Sequence, residues 1–193
     1  GKGIENNRKR WDDGMKEMCK ELNKYGMTVK DHVMEMYSPE RVTSMAERMG
    51  LRGGLALDLT TTDPDDGMPW DFDNEDKRNK AMKMVIDKKA LLAILSPMCT
   101  MFSTLQIMNR KWMGKERWDE LWNKAVRHVE FCMEIAKIQM ESKLYFLFEH
   151  PEAARSWTLR PIQRLAANED VVNVVGQRMG WMTHSAAVAE VLK

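Results

Sequence analysis

Cys99 and Glu149 each stand just beyond a run of apolar residues, and both side-chain types can do covalent or acid–base chemistry. Cys99 follows Leu91-Leu92-Ala93-Ile94-Leu95 after a turn carrying Ser96 and Pro97. A thiol presented there becomes a nucleophile when neighbouring cations or backbone N–H groups stabilise its thiolate. Glu149 comes directly after Tyr145-Phe146-Leu147-Phe148. A half-buried carboxyl in that place holds a proton or binds the amidine-like edge of a base. Cys19 and Cys132 sit instead on helical apolar stripes, where a cysteine reads as a small buried hydrophobe.

The two apolar runs read as strands, and the segments around them alternate strand with helix. Residues 1–32 form a polar N-terminal helical extension, with Trp11, Met15, Met18, Leu22 and Tyr25 on one stripe and Gly26 at its end. Val33 to Tyr37 is a short apolar segment. Ser38-Pro39-Glu40 then starts a helix that runs to Met49. Gly54 to Leu59 reads as a buried strand carrying Asp58 near its end. Helices are expected over about Asn74 to Lys88 and Glu116 to Glu141, with a strand from Leu144 to Phe148. From Glu152 onward the pattern gives one more helix, a strand over Val171 to Val175, and a closing helix after Ser185. The run at Leu91 to Leu95 has no polar residue, which suits a central parallel strand covered on both faces.

Residues 33–193 are therefore expected to fold as an α/β domain, a Rossmann-like, mostly parallel sheet flanked by helices. In such sheets ligands sit beyond the carboxyl ends of the strands. Four candidate strands finish near Ser38, Asp58, Cys99 and Glu149, so the chemistry is expected at that rim.

Composition narrows the function classes. The 193 residues suit one domain, and 30 Lys and Arg against 29 Asp and Glu leave too little charge for nucleic-acid binding by bulk electrostatics. The three cysteines are odd in number and far apart, which argues against a disulfide framework and a C-x-x-C zinc site. The 18 Met supply adaptable core filling. The acid-dense stretch Asp63 to Asp76 fails as an EF-hand, because Asp76 and Met82 stand where Gly and Glu are required. It reads as a solvated loop or a helix N-terminus. His128 and Cys132, one helical turn apart, lack a second pair for a metal. Neither a G-x-S-x-G elbow nor a phosphate-binding G-x-x-x-x-G-K loop occurs. No apolar run reaches the roughly 18 residues of a membrane span. Gly1 to Arg10 has no apolar core of a secretory signal, so an intracellular place, cytoplasmic or nuclear, with an organelle left open, is expected. Arg155, Arg160, Arg164 and Arg178, with Trp157 and Trp181, make the tail basic and aromatic, suited to phosphates and bases or to a charged helix face.

Pro97-Met98-Cys99-Thr100-Met101-Phe102-Ser103 resembles the Pro-Cys-Gln-x-Phe-Ser loop of the DNA (cytosine-5) methyltransferases. Glu149-His150-Pro151 resembles their Glu-Asn-Val motif, and Val33-Met34-Glu35-Met36-Tyr37 is similar in position to their first cofactor-binding strand. The resemblance covers roughly residues 33–157 and extends to methyltransferase-like segments of retroelement polyproteins of algae and protists. It implies S-adenosylmethionine as cofactor and a nucleic acid as partner. Cys99 would add to ring carbon 6 of a flipped-out cytosine, Glu149 would hydrogen-bond the ring nitrogen and amino group, and carbon 5 would take the methyl. The resemblance also places Glu35, Ser38 and Pro97 at the cofactor, with Asp58 and Asp71 (in Pro69-Trp70-Asp71-Phe72) as the acids for its ribose and adenine. Ser38-Pro39-Glu40-Arg41 stands where the family has Phe-x-Gly-x-Gly, and Met98 where it has Pro. The alternative reading is a non-catalytic methyltransferase-like subunit or scaffold with a protein partner in a larger assembly.

Overall fold

Leu92-Ala93-Ile94-Leu95 has no side chain to offer water, and the fold covers both of its faces. The computed structural model describes residues 29–176 and 179–192, together with 9, 10, 13, 14, 16, 17, 20 and 24, these last all helical. The stripe Trp11, Met15, Met18, Leu22 and Tyr25, with Gly26, Cys19 and Arg178, lies outside the described residues. In chain order the elements are β1 (Val33–Met36), α1 (Val42–Arg48), β2 (Gly53–Leu57), α2 (Glu75–Lys88) and β3 (Leu92–Leu95). A 3-10 turn (Thr100–Phe102) leads to α3 (Thr104–Met113), α4 (Lys115–Glu141) and β4 (Tyr145–Pro151). After a second 3-10 turn (Arg155–Thr158) come α5 (Arg160–Ala166), β5 (Val172–Gly176), β6 (Met179–Thr183) and α6 (Ala186–Leu192).

The six strands form one mixed sheet in the order β2-β1-β3-β4-β6-β5. β1 pairs in parallel with β2 and β3, and β3 with β4. β6 runs antiparallel to both β4 and β5. This is an α/β architecture, and its one reversed strand departs from a purely parallel sheet. Alternation along the strands divides the core. Met34, Met36, Ala93, Leu95, Phe146 and Phe148 pack with Val85 of α2 and Val129 and Ile135 of α4. Val33, Leu92, Ile94 and Leu147 pack on the other face with Ala46 of α1 and Val188 of α6. Among the described residues no helix is long and apolar enough to cross a membrane.

Several elements depart from the sequence expectation. β4 was expected to stop at Phe148 but continues to Pro151, because β6 pairs Trp181 with Glu149 and Gly180 with His150. β6 was not anticipated, since Gly180 weakens its strand signal. That glycine is a packing requirement: a Cβ there would lie 2.7 Å from the Trp157 ring. Helix α3 separates from α4 at Gly114, whose φ of 79° favours glycine.

The acid-dense loop is not simply solvated. Asp63 is fully buried, and its carboxylate meets Lys77 Nζ at 2.6 Å and Lys80 Nζ at 2.6 Å. Burial by itself would raise this carboxyl, but the hydrogen bonds from the two lysines override it and hold Asp63 far below the usual carboxylate range. Lys77 also stands 5.0 Å from the centroid of the buried Trp70 ring. The loop after β2 is thereby fastened to α2, whose N-terminus Asn74 caps by accepting from Asp76 N–H at 2.8 Å.

Removing one partner of a buried pair leaves the other charge uncompensated. Asp63→Asn is expected to cost about 3 kcal/mol in urea unfolding. Asp65→Asn, whose carboxylate pairs with Lys80 at 75% exposure, is expected to cost less than about 0.5 kcal/mol. Equal losses in the two variants would contradict the buried anchor.

Candidate active site

Parallel register sets Met36, Leu95 and Phe148 side by side, with Leu57 opposite Met36. The residues one step further, Asp58, Tyr37, Ser96 and Glu149, therefore reach the same edge of the sheet. Strand order reverses here: β1 leads on to β2 on one side, and β3 leads on to β4 on the other. The connections diverge beyond the carboxyl ends of β1 and β3, which is the switch point at which open α/β sheets bind ligands.

The segments carrying Cys99 and Glu149 are tied together at this edge. Ser96 Oγ donates to Glu149 Oε1 at 2.8 Å. His150 is the next residue on β4 and so faces the other side, where its Nε2 meets the carbonyl of buried Pro97 at 2.9 Å. A carbonyl only accepts, so Nε2 carries the proton and Nδ1 accepts from the Ser156 hydroxyl. Burial pushes His150 down from 6.5 to about 4, with the bond to Pro97 acting in the opposite direction. Cys99, half-buried, lies two residues past Pro97 at the head of the first 3-10 turn. The N–H groups of Met98, Cys99 and Thr100 donate to no acceptor among the described residues. Glu149 Oε2 has no partner there either.

The other predicted site residues divide between the rim and its frame. Glu35 is 1% exposed and accepts from Ser38 Oγ (2.9 Å), Arg41 N–H (3.0 Å), Thr43 N–H (2.7 Å) and Thr43 Oγ1 (2.8 Å). A strand carboxylate thus caps α1, which starts at Val42 rather than at the Ser-Pro signal. Glu35 and Ser38 order the turn, and Pro97 is held by His150; these three face the chain itself. Asp58 is half-buried at the end of β2, with Oδ1 accepting from Thr60 N–H at 2.9 Å and Thr60 Oγ1 at 2.7 Å. Its Oδ2 is unengaged among the described residues. Asp71 Oδ1 accepts from Asp73 N–H at 2.9 Å, and no hydrogen bond joins Asp71 to the other predicted site residues.

A polar chain missed by the sequence reading adjoins β1. Tyr37 has φ 63°, a left-handed conformation that costs a bulky residue on the order of 1–2 kcal/mol. Its ring packs on Phe72 at 4.9 Å between centroids, and its hydroxyl donates to His128 Nδ1 at 2.9 Å. His128 Nε2 in turn meets Asp73 Oδ1 at 3.1 Å, and Lys124 meets Asp73 Oδ2 at 2.5 Å. Burial lowers His128 although Asp73 opposes it, and burial raises the Tyr37 phenol. Both nitrogens of His128 are thus engaged within the chain, and Cys132 is buried with its thiol pushed up. Among the described residues no group of three or more His, Cys, Asp or Glu is placed to hold a metal ion. Tyr37 and His128 are 91 residues apart, and no spacing rule links them.

Among the described residues, grooves occur away from this rim. Trp157 and Trp181 line one of about 330 Å³ beside β6, and α4 and α5 enclose another of about 780 Å³. Neither is lined by Cys99, Glu149 or Asp58. Comparison with protein-family models, with curated proteins and with solved structures finds no match to this chain.

The tie at His150 titrates. Because its folded pKa of about 4 lies below 6.5, the unfolded chain takes up a proton first as pH falls, and the native state loses stability from about pH 6.5 down to about 4. The loss amounts to about 3 kcal/mol. His150→Gln keeps a donor for Pro97 and removes this titration, so its unfolding free energy is expected to fall by that much less over the same range. His128 titrates in both chains and cancels. Parallel pH profiles would contradict a buried neutral His150.

Proposed function

We propose that this chain is a cytosine-5 methyltransferase-like domain on a Rossmann-like sheet, acting on a nucleic-acid base with S-adenosylmethionine as methyl donor. The observation that carries the reading is the double tie, Ser96 to Glu149 and His150 to Pro97, which binds the Cys99 loop to the Glu149 strand at the switch point.

The rim suits the cofactor in chemical kind. Asp58 stands about 20 residues past the end of β1 with one carboxylate oxygen open, as an acid for a ribose diol does. At the head of α1, the N–H groups of Arg41 and Thr43 already serve the Glu35 carboxylate. That carboxylate repels a second anion such as a pyrophosphate. S-adenosylmethionine sets one carboxylate against a sulfonium and an ammonium, so it meets less of this repulsion than a dinucleotide's pyrophosphate does.

Within this reading the Cys99 thiolate, beside unengaged backbone N–H groups, adds to carbon 6 of the cytosine ring. Glu149, oriented by Ser96, engages ring N3 and the 4-amino group through Oε2 and stabilises the electron-rich adduct. S-adenosylmethionine, when bound, supplies the electrophilic methyl that carbon 5 accepts. Carbon 5 then gives its proton to solvent, the carbon–sulfur bond breaks, and Cys99 leaves as the thiolate. One observation favours the alternative of a non-catalytic subunit: Ser38-Pro39-Glu40-Arg41 stands where the family's turn has glycines, and Glu35 already takes the N–H groups of Arg41 and Thr43 there.

An oligonucleotide containing 5-fluorocytosine distinguishes the two, because fluorine cannot leave as a proton does. With S-adenosylmethionine present, the chain is expected to form a denaturation-resistant complex with it, detected by mass. Cys99→Ser is expected to abolish that complex while changing stability by less than about 0.5 kcal/mol, as suits a half-exposed side chain. No complex with the native chain, or one that survives the substitution, would refute the enzyme reading.

A further inference from the structure

Helix α3 has no buried residue. Its inner side leans on the core through Ile107 and Met113, and Arg110 lies over the Trp118 ring of α4 at 5.6 Å. The outward stripe is apolar: Leu105 is 75% exposed, Met108 66% and Trp112 88%. At spacings of three and four these side chains share one face. From Lys88 to Lys115 the chain has no acidic residue, and Lys111, flanking the stripe, has no ion-pair partner among the described residues. An apolar stripe this exposed is uncommon on a helix that meets only water.

The chain also carries a receptor of matching character. The groove of about 780 Å³ between α4 and α5 has Met133, Met140 and Leu165 in its lining and Glu130 and Glu134 on successive turns of its margin. Neither glutamate has an ion-pair partner among the described residues. Of the two cations lining the groove, Lys137 meets Glu141 at 3.7 Å and Arg164 is the other. Within one molecule the two surfaces stay apart. α3 leans on α4 at Trp118, whereas the groove begins at Glu130, about 18 Å further along the helix.

We propose that copies of this chain associate head to tail. The α3 stripe of one copy enters the α4–α5 groove of the next, with Lys111 facing Glu130 and Glu134. The contact is heterologous, so it builds a ring or an open filament rather than a two-fold dimer. It stands independently of the methyltransferase reading.

Sedimentation velocity over a wide range of concentration tests this with two variants. Trp112→Glu breaks the stripe and leaves the groove; Glu130→Lys with Glu134→Lys breaks the groove and leaves the stripe. All these positions are exposed, and an unchanged thermal midpoint checks that each variant folds. The native chain is expected to grow in mass with concentration, and each variant alone to stay a monomer. An equal mixture of the two is expected to form a dimer that grows no further, because one intact stripe meets one intact groove. A native chain that stays monomeric overturns the proposal, as does a mixture that fails to pair. Monomers that instead bind anionic vesicles or an oligonucleotide through Trp112 overturn it in favour of a lipid or nucleic-acid occupant.

Discussion

The shared register of β1, β3 and β4 is the constraint from which the rim follows. Parallel pairing leaves no freedom in where neighbouring strands end: once Val33 pairs Leu92, and Leu92 pairs Tyr145, the last apolar residues Met36, Leu95 and Phe148 must align. A slip of one residue would turn every side chain to the opposite face and exchange the two cores. The apolar covering of both faces by α2 and α4 on one side and α1 and α6 on the other makes such a slip costly. Ser96 and Glu149 meet because of this alignment.

Polar groups then convert an aligned edge into a held one. Each strand end carries a buried or half-buried polar residue with a partner at the same edge: Glu35 to its own turn, Asp58 to Thr60, Ser96 to Glu149, His150 to Pro97. Low local dielectric strengthens such bonds and makes an unmet group expensive, so the loops have few alternative conformations. Tyr37 illustrates the same economy in reverse. Its left-handed backbone is unfavourable in isolation, and the bond to His128 with the contact to Phe72 over-determines it.

Much of this was legible in the sequence where the signal was local. The wholly apolar run at Leu92 identified a central strand, and a helix was expected from about Asn74 to Lys88, where α2 spans Glu75–Lys88. Cys99 and Glu149 were expected at one edge, and their segments are tied there. What the sequence hid was set by distant partners. β6 was obscured by a glycine that exists to admit Trp157. Asp63 looked like one acid among many until Lys77 and Lys80 closed over it. His150 had no partner by spacing, because its acceptor is a carbonyl 53 residues away, and carbonyls carry no sequence signature.

Isotope exchange at cytosine carbon 5, without any methyl donor, tests the central claim most directly. If the Cys99 thiolate adds reversibly to carbon 6 while Glu149 supports the ring, carbon 5 becomes basic and trades its hydrogen with water. An oligonucleotide deuterated at that carbon is expected to lose its label to solvent with the native chain. The loss is expected to vanish in Cys99→Ser and to slow by about 10²-fold or more in Glu149→Gln. A label that persists with the native chain, or that is lost equally after Cys99→Ser, would contradict the account.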